Sequence, residues 1–222
     1  MTAAVLAAPR TDALTIFDRA LTRAATGRRA ILTLRDDRGA EHRIDPAPWC
    51  RSHLPGDSGL LARCSGPTLD VGCGPGRLTR ALARIGCPAL GIDVSDAAVR
   101  LTRRGGAAAL RRDVFGPLPG HGRWRHVLLA DGNIGIGGDP VALLRRCGQL
   151  LARDGHLHVE VAAPGTRSWA GDAVLSAGGG TAPLRWAVVA AGDLAAIAEA
   201  AGIRMSRHWT EAGRWFTTLT RT

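Results

Sequence analysis

The spacing of apolar residues changes along the chain, and each change marks an element. Leu14, Phe17, Leu21 and Ala24 recur at helical spacing behind Thr11 or Asp12 as a cap, with Gly27 as the stop. Residues 1–10 ahead of them read as a frayed tail. Residues 30–34 and 40–44 flank a polar turn holding Gly39, which predicts a hairpin, and Asp45-Pro46-Ala47-Pro48 ends it. Asp57 is placed to cap a short helix over 58–64. From Thr68 onward, short apolar runs alternate with amphipathic stretches. The runs at 68–71, 89–93, 107–110, 124–130 and 155–161 predict strands. Ser95 caps one intervening helix, and Asp139-Pro140 begins another that buries Leu143, Leu144, Cys147 and Leu150. That alternation predicts a parallel, doubly wound sheet. Residues 163–183, rich in Gly, Ala and Pro, read as a long lid loop, and 184–189 as an edge strand. Asp193 caps a last helix ended by Gly202, and 203–209 with 214–219 predict a closing antiparallel pair.

The candidate chemistry sits at the ends of the strands. Thr68-Leu69-Asp70-Val71-Gly72-Cys73-Gly74-Pro75-Gly76 is a strand, a glycine turn and a helix start. Glycines let a ligand approach the backbone, and the free amides of the helix start favour an anionic group. Asp70 beside them suits a cation, so a zwitterionic amino-acid ligand fits better than a pyrophosphate. The spacing Gly-x-Gly-x-Gly departs from the Gly-x-Gly-x-x-Gly of dinucleotide sites, which weighs against a nicotinamide-dependent oxidoreductase. Asp93 ends the second run roughly twenty residues on, where ribose hydroxyls are held in such folds. Asp113 follows the third run, placed to accept from an adenine amino group.

This order of motifs resembles the class I S-adenosylmethionine-dependent methyltransferases from about Thr68 to the C-terminus. The resemblance implies an α/β fold: a Rossmann-like, doubly wound, seven-stranded and mostly parallel sheet with a C-terminal antiparallel hairpin. A small N-terminal helix and β-hairpin cap over residues 1–56 packs on the methyltransferase domain of residues 57–222 rather than folding independently. The implied cofactor is S-adenosyl-L-methionine. It is held by Asp70, Gly72, Cys73 and Gly74 at its methionine part, Asp93 at the ribose, Asp113 with Val114 at the adenine, and Val94 against the adenine face. Asp131, in the loop after the fourth run, is placed for the cofactor's ammonium, and Asn133 for an acceptor heteroatom. Asp131, Asn133 and His53 are the candidate catalytic residues. Trp49, Asn133 and Trp186 are the candidate substrate contacts, and Glu160 is a further site candidate near the end of its strand.

Composition narrows the acceptor. Twenty-nine basic residues, all arginine, stand against 19 acidic ones, a net charge of +10. The arginines are scattered in pairs, such as Arg28-Arg29 and Arg103-Arg104, rather than gathered in one run. The loop at 131–140 lacks the Asn/Asp-Pro-Pro-Tyr/Phe motif of base and amide methylation and the Pro-Cys pair of cytosine-carbon methylation. Both points disfavour nucleic acid as partner, and a small-molecule acceptor taking a methyl on oxygen or nitrogen is expected. An RNA methyltransferase and a non-catalytic S-adenosylmethionine-binding protein on the same fold are the alternatives. The five cysteines form no Cys-x-x-Cys pair, so no metal site is expected. No run reaches the length of a membrane span, and the start lacks a basic region with a long apolar one. The expected compartment is cytoplasmic. Nothing in the sequence speaks to oligomeric state.

Overall fold

The computed structural model describes residues 12–222; the tail expected over 1–10 and the Thr11 cap lie outside them. Asp12 caps α1 (Ala13–Ala25), accepting from the Thr15 amide at 2.6 Å. The helix buries Ile16, Ala20, Leu21 and Ala24, the stripe that a 3.6-residue repeat places on one face. The expected hairpin follows as β1 (Leu32–Arg35) and β2 (Glu41–Ile44), antiparallel with Leu34 opposite His42. A turn of 3-10 helix, Pro48–Cys50, then leads to α2 (Asp57–Leu61). Asp57 is not its cap. Gly56, in the left-handed region at φ 90°, precedes the helix, and the Asp57 carboxylate turns inward.

The central sheet forms from the predicted runs. Five strands run parallel: β3 (Thr68–Val71), β4 (Ala89–Asp93), β5 (Ala109–Arg111), β6 (Trp124–Leu129) and β7 (Leu151–Val161). Between them lie α3 (Arg77–Arg84), α4 (Asp96–Arg104) and α5 (Pro140–Leu150). After α6 (Leu194–Ala200) come β10 (Ile203–Glu211) and β11 (Arg214–Arg221), the expected closing pair, with β11 antiparallel to β7. The order is β10-β11-β7-β6-β3-β4-β5. From β3 the chain builds outward first through β4 and then, on the other side, through β6. A doubly wound sheet opens a crevice at the strand ends where its order reverses, here at the tips of β3, β4 and β6. Leu69, Val127, Leu143, Cys147 and Leu157 form the middle of one core beneath α5 and α6. Leu60, Leu78, Leu82, Leu128 and Phe216 fill the opposite side.

The 163–183 stretch corrects the sequence reading. Instead of a lid loop it contains most of a second hairpin, β8 (Trp169–Ala177) and β9 (Gly180–Val188), which absorbs the expected edge strand. β8 pairs with β1, Leu34 lying opposite Leu175, so a second sheet of order β2-β1-β8-β9 unites the N-terminal hairpin with this late one. Side chains alternate across a strand with period two. Leu32, Leu34, Ala173, Leu175 and Ala182 therefore share the inner face, where they bury against Ile16 and Ala20 of α1. The roof over the strand tips is a sheet.

Candidate active site

The crevice at the strand tips and the inner face of the second sheet enclose one cavity of about 390 Å³, within the range of small-molecule sites. Its floor is the glycine turn. Gly72 lies in the left-handed region at φ 69°, and a Cβ there would meet the Asn133 amide nitrogen at 2.7 Å. That nitrogen donates to the Val71 and Gly72 carbonyls at 2.8 and 2.9 Å, so Asn133 clamps the turn and keeps only its oxygen for a ligand. The Gly72 and Cys73 amides both donate to the Ile92 carbonyl, tying the turn to β4. The first turn of α3 then brings amides that have no intrahelical acceptor toward the same place.

Two acids flank this floor in different states. Asp70 is fully enclosed and accepts from the Thr79 hydroxyl at 2.6 Å. Burial pushes its carboxyl up to about 6, against the pull of Thr79 and Arg77. Asp93, at the tip of β4, accepts from the Gly74 amide at 2.9 Å and the Ser95 amide at 2.8 Å. Burial raises it as well, with those two amides pulling the other way. Each of its oxygens has a further lone pair to offer.

A network of charge lies beside the glycine turn. Arg77, the first residue of α3, pairs with Asp57 and with Asp131. Arg214, at the start of β11, bonds both oxygens of Glu160 at 2.8 and 2.7 Å, Asp57 at 2.8 Å and Asp131 at 3.1 Å. Asp131 holds a left-handed backbone at φ 54°, fixed by its amide donating to Glu160 at 2.6 Å. Such a conformation in a non-glycine residue costs on the order of 1–3 kcal/mol and persists where its surroundings hold it. Three carboxylates against two guanidiniums leave one negative charge at the cavity floor. Burial raises Asp131, opposed first by Arg77.

The upper part of the cavity is apolar. Phe17 of α1, Trp49 of the 3-10 turn, Leu34, Leu175 and Trp186 line it. The loop after β6, a 3-10 stretch at Asn133–Gly138, packs against β9. A Cβ on Gly135 would overlap the Ala187 carbonyl and the Trp186 indole. The glycines of this loop serve that close packing as well as any ligand.

The structure gathers most of the residues singled out in the sequence. Asp70, Gly72, Cys73, Gly74, Asp93, Val94, Asp131, Asn133, Trp49 and Trp186 all line the cavity. His53 does not: its ring is half-exposed and stands 3.7 Å from Asp57 outside the lining. Asp113 and Val114 also fall outside. The Asp113 carboxylate accepts from the Phe115 amide at the surface, and Val114 is buried in the main core. Sequence reasoning missed His42, which lines the cavity from β2, and the partnership of Arg77, Arg214 and Asp57. Glu160 belongs to that network, not to the cavity wall.

A second polar group lies under the sheet, away from the cavity. His126 and His158 stack with His156, and the Ser65 amide donates to His126 Nε2 at 3.1 Å. His126 must then carry its proton on Nδ1 and donate to His158 Nε2 at 3.1 Å, and His158 donates from Nδ1 to the Thr218 hydroxyl at 3.0 Å. Burial lowers His126 to about 4 and His158 to about 3, with the neighbouring imidazoles adding to it. Cys64 approaches both rings within 4.8 Å, but every nitrogen of His126 and His158 already serves this relay. Among the described residues, no helix is long and apolar enough to cross a membrane.

Residues 68–155 match the family model described as a methyltransferase domain. No curated protein matches the sequence. Among solved structures, a SAM-dependent methyltransferase from Bacteroides fragilis, determined with S-adenosyl-L-homocysteine, is 21% identical with a TM-score of 0.75, covering 92% of this chain and 94% of that one. The 1,6-didemethyltoxoflavin-N1-methyltransferase of Burkholderia thailandensis is 18% identical with a TM-score of 0.55, over 74% of each chain. The sugar N-methyltransferase KedS8 of a Streptoalloteichus species is 18% identical with a TM-score of 0.52, over 73% of this chain and 82% of that one. Glycine turn, strand-tip acids and strand order agree with that match: the sheet carrying residues 68–155 has the fold of the class I S-adenosylmethionine-dependent methyltransferases.

Proposed function

We propose that the protein moves a methyl group from S-adenosylmethionine to an oxygen or nitrogen of a small, largely apolar molecule. The observation that carries this reading is a single cavity with two unlike ends, acids and free amides below and an apolar, aromatic chamber above. In this reading the donor's carboxylate meets the first-turn amides of α3, and its ammonium is drawn to Asp131 and the excess negative charge around it. Asp93 takes the ribose hydroxyls with its remaining lone pairs, and Val94, half-exposed beside it, packs on the adenine. Cys73 and Gly74 lie along the methionine chain. The sulfonium then faces the chamber bounded by Trp49 and Trp186.

Methyl transfer from a sulfonium is an in-line displacement in which the donor supplies the driving charge. The protein's task is to align nucleophile, methyl and sulfur and to exclude water. A roof of β-sheet over the strand tips suits that task for a small molecule. The Burkholderia and Streptoalloteichus neighbours, named for a didemethyltoxoflavin and a sugar, support a small acceptor. Calorimetric titration with adenosylhomocysteine, followed by label transfer from methyl-labelled donor to a panel of small molecules, tests the reading. One-to-one binding with labelled product is expected. No binding defeats the proposal, and binding without product from any acceptor leaves a non-catalytic binding protein in its place.

A further inference from the structure

The inner face of the second sheet is apolar with one exception. By register it carries Leu32 and Leu34 from β1, His42 and Ile44 from β2, and small or apolar residues from β8 and β9. Within the described strands His42 is the one titratable side chain on that face, and it lines the cavity. Its side chain is 36% exposed and is held on two sides. Its ring stacks on Trp169, with centroids 5.6 Å apart and planes at 23°. Its Nε2 lies 3.4 Å from Oδ2 of Asp36.

Asp36 is buried and rigidly held at the hairpin turn. It accepts from the Arg38 and Ala40 amides at 3.0 and 2.9 Å and pairs with Arg167. With Nε2–H directed at this carboxylate, the lone pair of His42 is on Nδ1. That atom has no partner among the described residues. A carboxylate fixing the tautomer of a cavity-lining imidazole, with the other ring nitrogen left unpartnered, is the arrangement of a general base and its orienting acid. Such contacts are often long before substrate arrives.

We infer that His42 is the base of the reaction, with Asp36 as its positioning residue, and that the acceptor is a neutral, planar aromatic hydroxyl compound. This rests on the methyltransferase reading above. Among the described residues, no cation or carboxylate from β1, β2, β8 or β9 lines the chamber to pair with a charged acceptor, and Phe17, Trp49 and Trp186 offer ring faces. A neutral amine attacks a sulfonium before losing its proton and needs no base. A hydroxyl must lose its proton, and a phenol, ionising at about 10, is within reach of an imidazole where an aliphatic alcohol is not. In the step, Nδ1 of His42 takes the hydroxyl proton and the oxygen electron pair forms the O–CH₃ bond. The C–S bond breaks with its electrons passing to sulfur. A methyl ether, the neutral thioether adenosylhomocysteine and an imidazolium result, and the imidazolium returns its proton to water as product leaves.

The test uses the full chain with methyl-labelled donor, 1-naphthol and 4-phenylphenol as hydroxyl probes, and 1-naphthylamine as the amine probe. Expected is methylation of at least one hydroxyl probe in preference to the amine. His42→Gln should lower kcat about 100-fold at pH 7.5 with KM and adenosylhomocysteine affinity unchanged. Its residual rate should climb toward pH 10, as the probe ionises by itself. Asp36→Asn should displace the pH profile while leaving KM in place. His42→Phe, which keeps the stack on Trp169, guards against a folding defect and should match His42→Gln. A donor-binding protein that methylates only the amine, or neither hydroxyl probe, overturns the inference, as does His42→Gln with wild-type kcat and pH profile. Failure of the wild-type chain to bind adenosylhomocysteine would instead remove the reading on which the inference rests.

Discussion

Replacing Arg214 with Met tests whether the charge network beneath the cavity is a structural joint. Arg214 reaches Glu160, Asp57 and Asp131 through four contacts of 2.7–3.1 Å. It thereby ties the closing hairpin to α2, to β7 and to the loop after β6. Each close pair is worth about 4 kcal/mol of attraction at an effective dielectric constant near 20, before desolvation. The regime decides the net effect: exposed pairs give about 0–1 kcal/mol, whereas removing one member of a buried pair costs about 3–5. The Arg214 side chain is 16% exposed and that of Asp57 1%, so the buried regime applies. Arg77 remains to hold Asp57 and Asp131, which places the expected loss at the lower end, about 3 kcal/mol. For a chain of this size that is a fall in Tm of roughly 6–12 °C. The loss depends on pH with a definite sign. Burial pushes Asp57 up, but its bonds to Arg77, Arg214 and the Leu54 amide more than offset it, and its native pKa lies below the ordinary value. Stability from a depressed carboxyl is present above the unfolded value of about 3.9 and fades as pH falls through the native one. The gap between wild type and variant is therefore full at pH 7 and narrows below about pH 4. Urea unfolding followed by tryptophan fluorescence at both pH values measures it. A loss under about 1 kcal/mol at pH 7, or a gap that persists undiminished in acid, would refute the reasoning.

Two further outcomes follow from the buried histidines and from the strand-tip acid. NMR of the imidazole nitrogens should find His126 and His158 both protonated on Nδ1 and uncharged from pH 8 down to pH 5, and a titration near 6.5 would contradict the relay. Their lowered native values mean the unfolded chain takes up protons first, so stability is kept above about pH 6.5 and falls below it. The loss by pH 5 is about 2 kcal/mol per ring, partly offset by Asp70, whose raised value works in the opposite direction. Asp93→Asn should weaken adenosylhomocysteine binding ten- to a hundredfold, the loss of one charge-assisted pair of roughly 1.5–3 kcal/mol, and should also lower the melting temperature, because the new amide nitrogen faces the Gly74 or Ser95 N–H. Unaltered affinity by calorimetry would remove Asp93 from the ribose.

What the sequence showed and what it hid have physical reasons. The turn from Thr68 to Gly76 is local, and its glycine spacing and flanking patterns are written in consecutive residues, so strand, turn, helix and the tip acids Asp70 and Asp93 could all be placed. The second sheet is non-local: β1 meets β8 across about 140 residues of chain, and no window of sequence contains both. β8 and β9 also lack the usual strand composition. Gly171, Ala173, Ala182 and Pro183 look like loop residues until a facing strand and α1 give them something to pack on. The Arg77–Asp57–Arg214 joint was hidden for the same reason, its members lying far apart and each resembling an ordinary surface charge. Asp113 stands outside the cavity lining. A carboxylate after a strand is as useful for closing a turn, here onto the Phe115 amide, as for holding a ligand. His42 gave no motif at all, and only the cross-strand register sets it among leucines facing the cavity.

The most direct measurement is a crystal structure of the full chain grown with adenosylhomocysteine. The account predicts the homocysteine tail along Gly72–Gly74 at the start of α3, the ribose hydroxyls on Asp93, and the sulfur facing the chamber between Trp49, Trp186 and His42. A ligand bound elsewhere, or one seated in the crevice with its sulfur turned away from that chamber, would contradict it.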